Sequence, residues 1–211
     1  MYSNIFSVIF IAVILGAQIV RSFLGERFKI ADFLRTYELR IHKSIFLFSI
    51  FVIFLLLFYQ SYLQYQVWLS DELSKNFLEA SVKIDSLNIN ISYFIFYVVT
   101  RFFAPYFISL AAALIFFIFA KKLNKRYNEK FFEPEELYLG ALALFLTSWP
   151  GAMFYFIGLI LIYLLIHFLL LVISHKLLVV SLYYLWMPTA IFVILINKWL
   201  SALPLWKMMI F

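Results

Sequence analysis

Apolar residues fill this chain in long runs, and polar residues gather in the intervals between them. The runs cover residues 2–20, 44–69, 102–120, 137–148, 152–173 and 181–196. A transmembrane helix takes about 20 mostly apolar residues. The pattern therefore predicts an all-α fold, a polytopic transmembrane helical bundle of about six spans, as one integral membrane domain over residues 1–211. Positive charge follows the first run, at Arg21, Arg27 and Lys29, instead of preceding it. That order predicts an uncleaved anchor and not a removable leader.

The intervals refine the picture. Residues 21–43 mix Arg21, Arg27, Lys29, Arg35, Arg40 and Lys43 with Glu26, Asp32 and Glu38. Phe28, Ile30, Phe33, Leu34, Tyr37 and Ile41 recur at roughly helical spacing there, which predicts an amphipathic helix on the inner interface. Residues 70–90 are the most polar stretch and are expected outside. The run at 91–120 is interrupted by Arg101 and Pro105, so its crossing is expected at 102–120, with 91–100 at the outer interface. Trp149-Pro150-Gly151 divides residues 137–173 into two helices of a hairpin, because a Pro-Gly pair after an aromatic residue is a strong turn signal. A single kinked span there would invert everything that follows.

Charge supplies the direction. The segments read as inner (21–43, 121–130 and Lys176) hold 12 lysines and arginines. Those read as outer hold four, Lys75, Lys83, Lys198 and Lys207, with Arg101 set aside. The bias predicts both termini outside, in an integral membrane protein of the bacterial inner membrane. Composition agrees: 66% of residues are hydrophobic and 13% charged, against about half and about a quarter in soluble domains. The net charge of +6 sits in inter-span segments and not on one soluble face, so nucleic acid is not an expected partner. With no cysteine, disulfides, thiolate zinc sites, iron–sulfur clusters and a cysteine nucleophile are excluded.

Few polar groups remain to carry chemistry. Arg101 is either a snorkelling interfacial arginine or an intramembrane charge with a purpose. Glu133-Pro134-Glu135-Glu136 reads as a helix start, with proline and carboxylates in the first turn. Its functional alternative is a carboxylate at the cytoplasmic mouth of the bundle, usable as acid, base or cation ligand. His167 is expected to hydrogen-bond a neighbouring helix. Together with His42 and His175 it forms no repeated spacing, so no metal is expected. Five scattered glycines give no phosphate loop, and no cofactor is expected.

The stretch from Glu135 to Leu144, followed by Thr147-Ser148-Trp149-Pro150-Gly151, resembles the fourth helix and following turn of type IV prepilin peptidases. The outside N-terminus, the cytoplasmic segment after the first helix and the later hairpin are similar too. That family cuts with two membrane-mouth aspartates, one in a Gly-Asp pair where this chain has Glu135-Glu136. The aspartates here are Asp32, Asp71 and Asp85, and the last two are read as outer. The resemblance thus implies a diverged, inactive member of pilus or secretion machinery, with Glu136 as a vestigial carboxylate. Were it active, it would be a membrane-embedded acidic peptidase using Glu136, Glu135 and Asp32 on prepilin-like substrates. The alternatives are a non-catalytic structural subunit of a larger complex, with other membrane proteins and the lipid bilayer as partners, or a small transporter. No repeat supports the transporter, and only Arg101 with Pro105 suggests a broken helix.

Overall fold

The computed structural model describes residues 2–25, 31–84, 89–127, 132–174 and 182–209, with side chains for most of them. The expected boundary charges at Arg27, Lys29, Lys130 and Lys176 lie outside the described residues, as does His175. Helix α1 spans Tyr2–Gly25, α2 Ala31–Ser70 and α3 Glu72–Glu79. Strands β1 (Ser81–Ile84) and β2 (Ile89–Ser92) pair antiparallel, Val82 opposite Ile91. Helix α4 (Tyr93–Val98) passes through a π-helical turn, Val99–Phe103, into α5 (Ala104–Arg126). Helix α6 (Pro134–Leu146), α7 (Gly151–Ser174), a 3₁₀ turn at Leu182–Tyr184, α8 (Trp186–Leu200) and the short α9 (Pro204–Met208) complete the chain.

Three helical stretches are long and apolar enough to cross a membrane: Arg40–Ser70, Tyr93–Arg126 and Gly151–Ile173. The helical bundle of a membrane protein is therefore present. In α1 the stretch Ser3–Ile19 is apolar but shorter. At 1.5 Å per residue, α6 reaches only about 20 Å and α8 about 22 Å, less than the ~30 Å hydrocarbon layer.

The structure departs from the sequence reading in two places, residues 31–43 and residues 93–100. Residues 31–43 do not form a separate interfacial helix; α2 is one helix of 40 residues. No glycine or proline interrupts residues 31–70, so nothing breaks the hydrogen-bond ladder where the amphipathic segment meets the apolar run. Within the polar stretch, α3 and β1 occupy most of residues 72–84. Trp68 at the end of α2 packs 5.1–6.3 Å from the rings of Phe77, Tyr93, Phe94 and Tyr97, and the Tyr93 N–H donates to the Ala80 carbonyl at 2.9 Å, closing the small hairpin. Residues 93–100, expected apart from the third crossing, are continuous with it. Pro105 cannot donate to the Arg101 carbonyl, and the wider π turn accommodates its ring. The Thr100 hydroxyl donates to the Phe96 and Tyr97 carbonyls, at 2.8 and 3.2 Å.

The core is built around α6. Nearly every residue from Glu135 to Leu146 is buried, and α1, α2, α5, α7 and α8 all touch this helix. Phe145 lies between the rings of Phe46 (6.5 Å) and Tyr106 (5.9 Å). At the middle of α6, Gly140 meets Phe116 of α5 and Trp186 of α8, whose rings are themselves 5.5 Å apart. The expected turn at Trp149-Pro150-Gly151 does separate α6 from α7, through residues 147–150.

Two helices set a common scale. Arg40 to Gln60 on α2 and Arg101 to Lys121 on the α4–α5 helix each cover 20 residues, about 30 Å of helix. That equals one hydrocarbon layer. The bundle thus has an Arg101 end and a Lys121 end, one membrane thickness apart.

A side chain at position 140 has no room. A Cβ there falls 2.7 Å from a Phe116 ring carbon and 3.0 Å from Trp186, whereas a Cβ at Gly16 meets nothing within 4 Å. Gly140→Leu should lower stability by about 1–3 kcal/mol through overpacking. Gly16→Ala should leave the thermal midpoint in detergent unchanged or raise it, since alanine is the better helix former.

Candidate functional site

The carboxylates singled out by the sequence lie at the Lys121 end. Glu135 and Glu136 are both buried, 3% exposed, in the first turn of α6, while Glu133 is exposed. The Glu136 carboxylate accepts the Glu133 N–H at 3.1 Å, and the Glu136 N–H donates to the Glu133 carbonyl at 3.0 Å. Proline begins the helix, where its missing N–H costs nothing. The preceding strand-like residue is held from α5: the Asn124 side-chain amide donates to the Phe132 carbonyl at 2.7 Å and accepts the Phe132 N–H at 3.2 Å. This is the helix start that the sequence pattern predicts.

Asp32 sits on the first turn of α2, about 12 Å along the helix from Arg40. Its side chain and that of Glu38 lie outside the described residues. Among the described residues, no three of His, Asp and Glu gather closely enough to hold a metal ion. His167 on α7 is half-buried and packs on Tyr163 of the same helix, ring centroids 4.6 Å apart. Its Nδ1 has no hydrogen-bond partner among the described residues.

The Arg101 end holds a cavity of about 440 Å³ that the sequence did not announce. Helix α1 brings Ser3 and Asn4 to it, α2 brings Leu57 and Gln60, and the π turn brings Thr100, Arg101 and Phe102. The α6–α7 turn supplies Ser148, Trp149 and Pro150, and α8 supplies Asn197 and Ser201. The C-terminal segment closes one side with Trp206 and Met209. Two contacts hold that segment down: the Trp149 indole N–H donates to the Met209 carbonyl at 3.0 Å, and Trp206 stacks on Phe154 at 5.4 Å.

The floor of the cavity is the turn itself. Ser148 has φ = 50°, a left-handed conformation that costs a non-glycine residue roughly 1–2 kcal/mol. Its neighbours hold it there: the Ala152 N–H donates to the Ser148 carbonyl at 2.7 Å, and the Trp149 N–H donates to the Pro105 carbonyl at 3.1 Å. Tyr106, 5% exposed, also lines the cavity. Its hydroxyl lies beside those of Ser3 and Ser148 but forms no hydrogen bond of good geometry with either. Arg101 is exposed at the wall. The lining holds one cation, many neutral polar groups and no carboxylate.

No individual residue marked this site in the sequence. Ser3 with Asn4, Gln60, and Asn197 with Ser201 belong to three apolar runs or their edges that stand far apart along the chain. Their shared distance from the Lys121 end was the available signal. In comparisons with known proteins, no family model, curated protein or solved structure matches the chain.

The acidic helix start carries its own test. Glu136→Ala should cost about 0.5–2 kcal/mol, as loss of a helix-start acceptor does, seen as a lower thermal midpoint in detergent. Glu136→Gln keeps a carbonyl oxygen for the Glu133 N–H and should retain most of that stability. Equal losses in the two variants would mean that the negative charge, and not the hydrogen bond, is what α6 needs.

Proposed function

We propose that this protein is a non-catalytic subunit of a larger membrane assembly. It crosses a bacterial inner membrane six times with both termini outside, and is a diverged relative of type IV prepilin peptidases in pilus or secretion machinery. The observation that carries the reading is the far half of α7. From Ile160 to Ile173 no residue is buried, although α7 begins packed through Ala152, Tyr155 and Leu159. Apolar side chains there need only lipid. His167 is different, because a polar ring at membrane depth without a partner on another helix is costly. A helix from a partner subunit, laid along α7, would supply the missing acceptor or donor.

Two further observations support parts of this reading. Glu136, the residue standing where the peptidase family keeps an aspartate, has an oxygen engaged in holding the start of α6. The six-span path is supported by the cavity, since the N-terminus, Arg101, the 148–150 turn and Ser201, all expected at the outer side, meet at one end with Gln60 from the later part of the second span. Helices α6 and α8 cross in spite of their length because the segments flanking them enter the layer with them.

The absence of native cysteine makes the test direct. Cysteine placed at Leu164 or Phe168 of α7 should cross-link in native membranes to give an adduct of defined mass. The same residue at Ile115 or Ile118, on the exposed face of α5, should not. A protein that stays monomeric in mild detergent and forms no adduct at Leu164 or Phe168 would rule out the assembly. For orientation, Ser201→Cys should react with a membrane-impermeant maleimide in intact spheroplasts, and Lys122→Cys only after permeabilisation. The reverse pattern would overturn the outside termini.

A further inference from the structure

We propose that the cavity at the Arg101 end is a binding site for a phosphate oxyanion carried on a lipid headgroup. The first argument is charge. Arg101 is the one charged residue in the lining, and no ion-pair partner for it exists among the described residues. An exposed guanidinium beside neutral hydroxyl and amide groups favours a negative ligand, and its planar fork of donors matches tetrahedral oxyanions.

The second argument is an independent orphan. The Tyr106 hydroxyl is buried, lines the same cavity and has no hydrogen-bond partner among the described residues. A buried phenol without a partner forfeits the hydrogen bonds it had in water. An oxyanion oxygen would accept from it. The Ser148 hydroxyl, on the same lining, would be a further donor.

Position favours the lipid as source. Arg101 stands about 30 Å of helix from Lys121, which is where headgroup phosphates of one leaflet lie if Lys121 marks the other boundary. Phe102, Trp149 and Trp206 add aromatic walls to the polar centre. That pairing suits the junction between a phosphate and acyl chains, where indoles concentrate. The volume of about 440 Å³ exceeds what a phosphate alone needs, and leaves room for the group esterified to it.

The test uses the full chain in neutral detergent, with tryptophan emission as the readout because Trp149 and Trp206 line the site. Three probes are titrated: dioctanoyl phosphatidylglycerol, dioctanoylglycerol (which lacks the phosphate) and inorganic phosphate. The phosphatidylglycerol should give a saturable change and raise the thermal midpoint, while dioctanoylglycerol should do neither. Arg101→Gln should weaken the apparent affinity by about tenfold or more, and Tyr106→Phe by about fivefold, as loss of a charged and a neutral hydrogen bond would. Saturation by inorganic phosphate at similar concentration, with the same dependence on Arg101, would keep the oxyanion site and make its ligand a soluble anion. Equal responses to phosphatidylglycerol and dioctanoylglycerol would overturn the proposal. So would unchanged affinity in a folded Arg101→Gln protein. Should that variant fail to fold, Tyr106→Phe, which preserves the ring packing, decides the matter by the same criterion.

Discussion

A helix that ends inside an apolar layer must have its terminal backbone groups satisfied without bulk water, and this structure is organised around one such helix. Helix α6 has 13 residues, about two-thirds of a crossing, and almost all of them are buried. Four N–H groups at one end and four carbonyls at the other lack partners within the helix. At the Lys121 end the answer is Pro134, which has no N–H, together with the Glu136 carboxylate and the Asn124 clamp on Phe132. At the other end, the Thr147 hydroxyl donates to the Ala143 and Leu144 carbonyls at 3.1 and 3.0 Å. The surrounding helices are arranged so that these groups can reach.

The cavity follows from the same shortness. Because α6 stops at Leu146, the turn into α7 lies one helical turn below Arg101, where Pro105 accepts the Trp149 N–H. The neighbouring helices do not stop there. Helix α2 runs on to Ser70, and the α4–α5 helix begins at Tyr93, well above the turn. A recess is left over the end of α6, walled by the longer helices and partly closed by α9. The π turn contributes by its position, since Pro105 forces the widening one turn from Arg101 and so sets the guanidinium at the wall.

Much of this architecture was legible in the sequence. The apolar runs located the helices, the Trp149-Pro150-Gly151 signal located the turn, and Glu-Pro-Glu-Glu announced the start of α6. These features are local, and local chemistry fixes them. What could not be read depends on contacts between distant segments. The continuity of α2 rests on the absence of a breaker, and the pattern of an interfacial helix masked it. The β-hairpin at 81–92 is held by Trp68 and its aromatic neighbours, which come from three elements. Arg101 could be read as an interfacial cation from its spacing, but the cavity that gives it surroundings is assembled from six separate regions of the chain. Three stretches are long and apolar enough to cross by themselves, whereas α6 and α8 are shorter than the layer and join the bundle through their packing.

The two ends of the bundle now differ in kind, and that difference bears on function. The resemblance to a peptidase family directs attention to the Lys121 end, where the acidic residues are. There the structure is closed: Glu135 and Glu136 are buried, and Glu136 has a backbone partner. A group used as general acid or base must reach a substrate proton directly or through one water. A carboxylate enclosed in the first turn of a packed helix meets that condition only if the turn opens. Opening it would expose the same backbone groups that the carboxylate satisfies. The Arg101 end is the opposite case, with open volume, an orphan hydroxyl and a cation without a carboxylate. Recognition needs space and unsatisfied donors, while stability of a short helix needs neither. By that criterion the Arg101 end is the one shaped for binding, while Glu136 is already engaged in holding the start of α6.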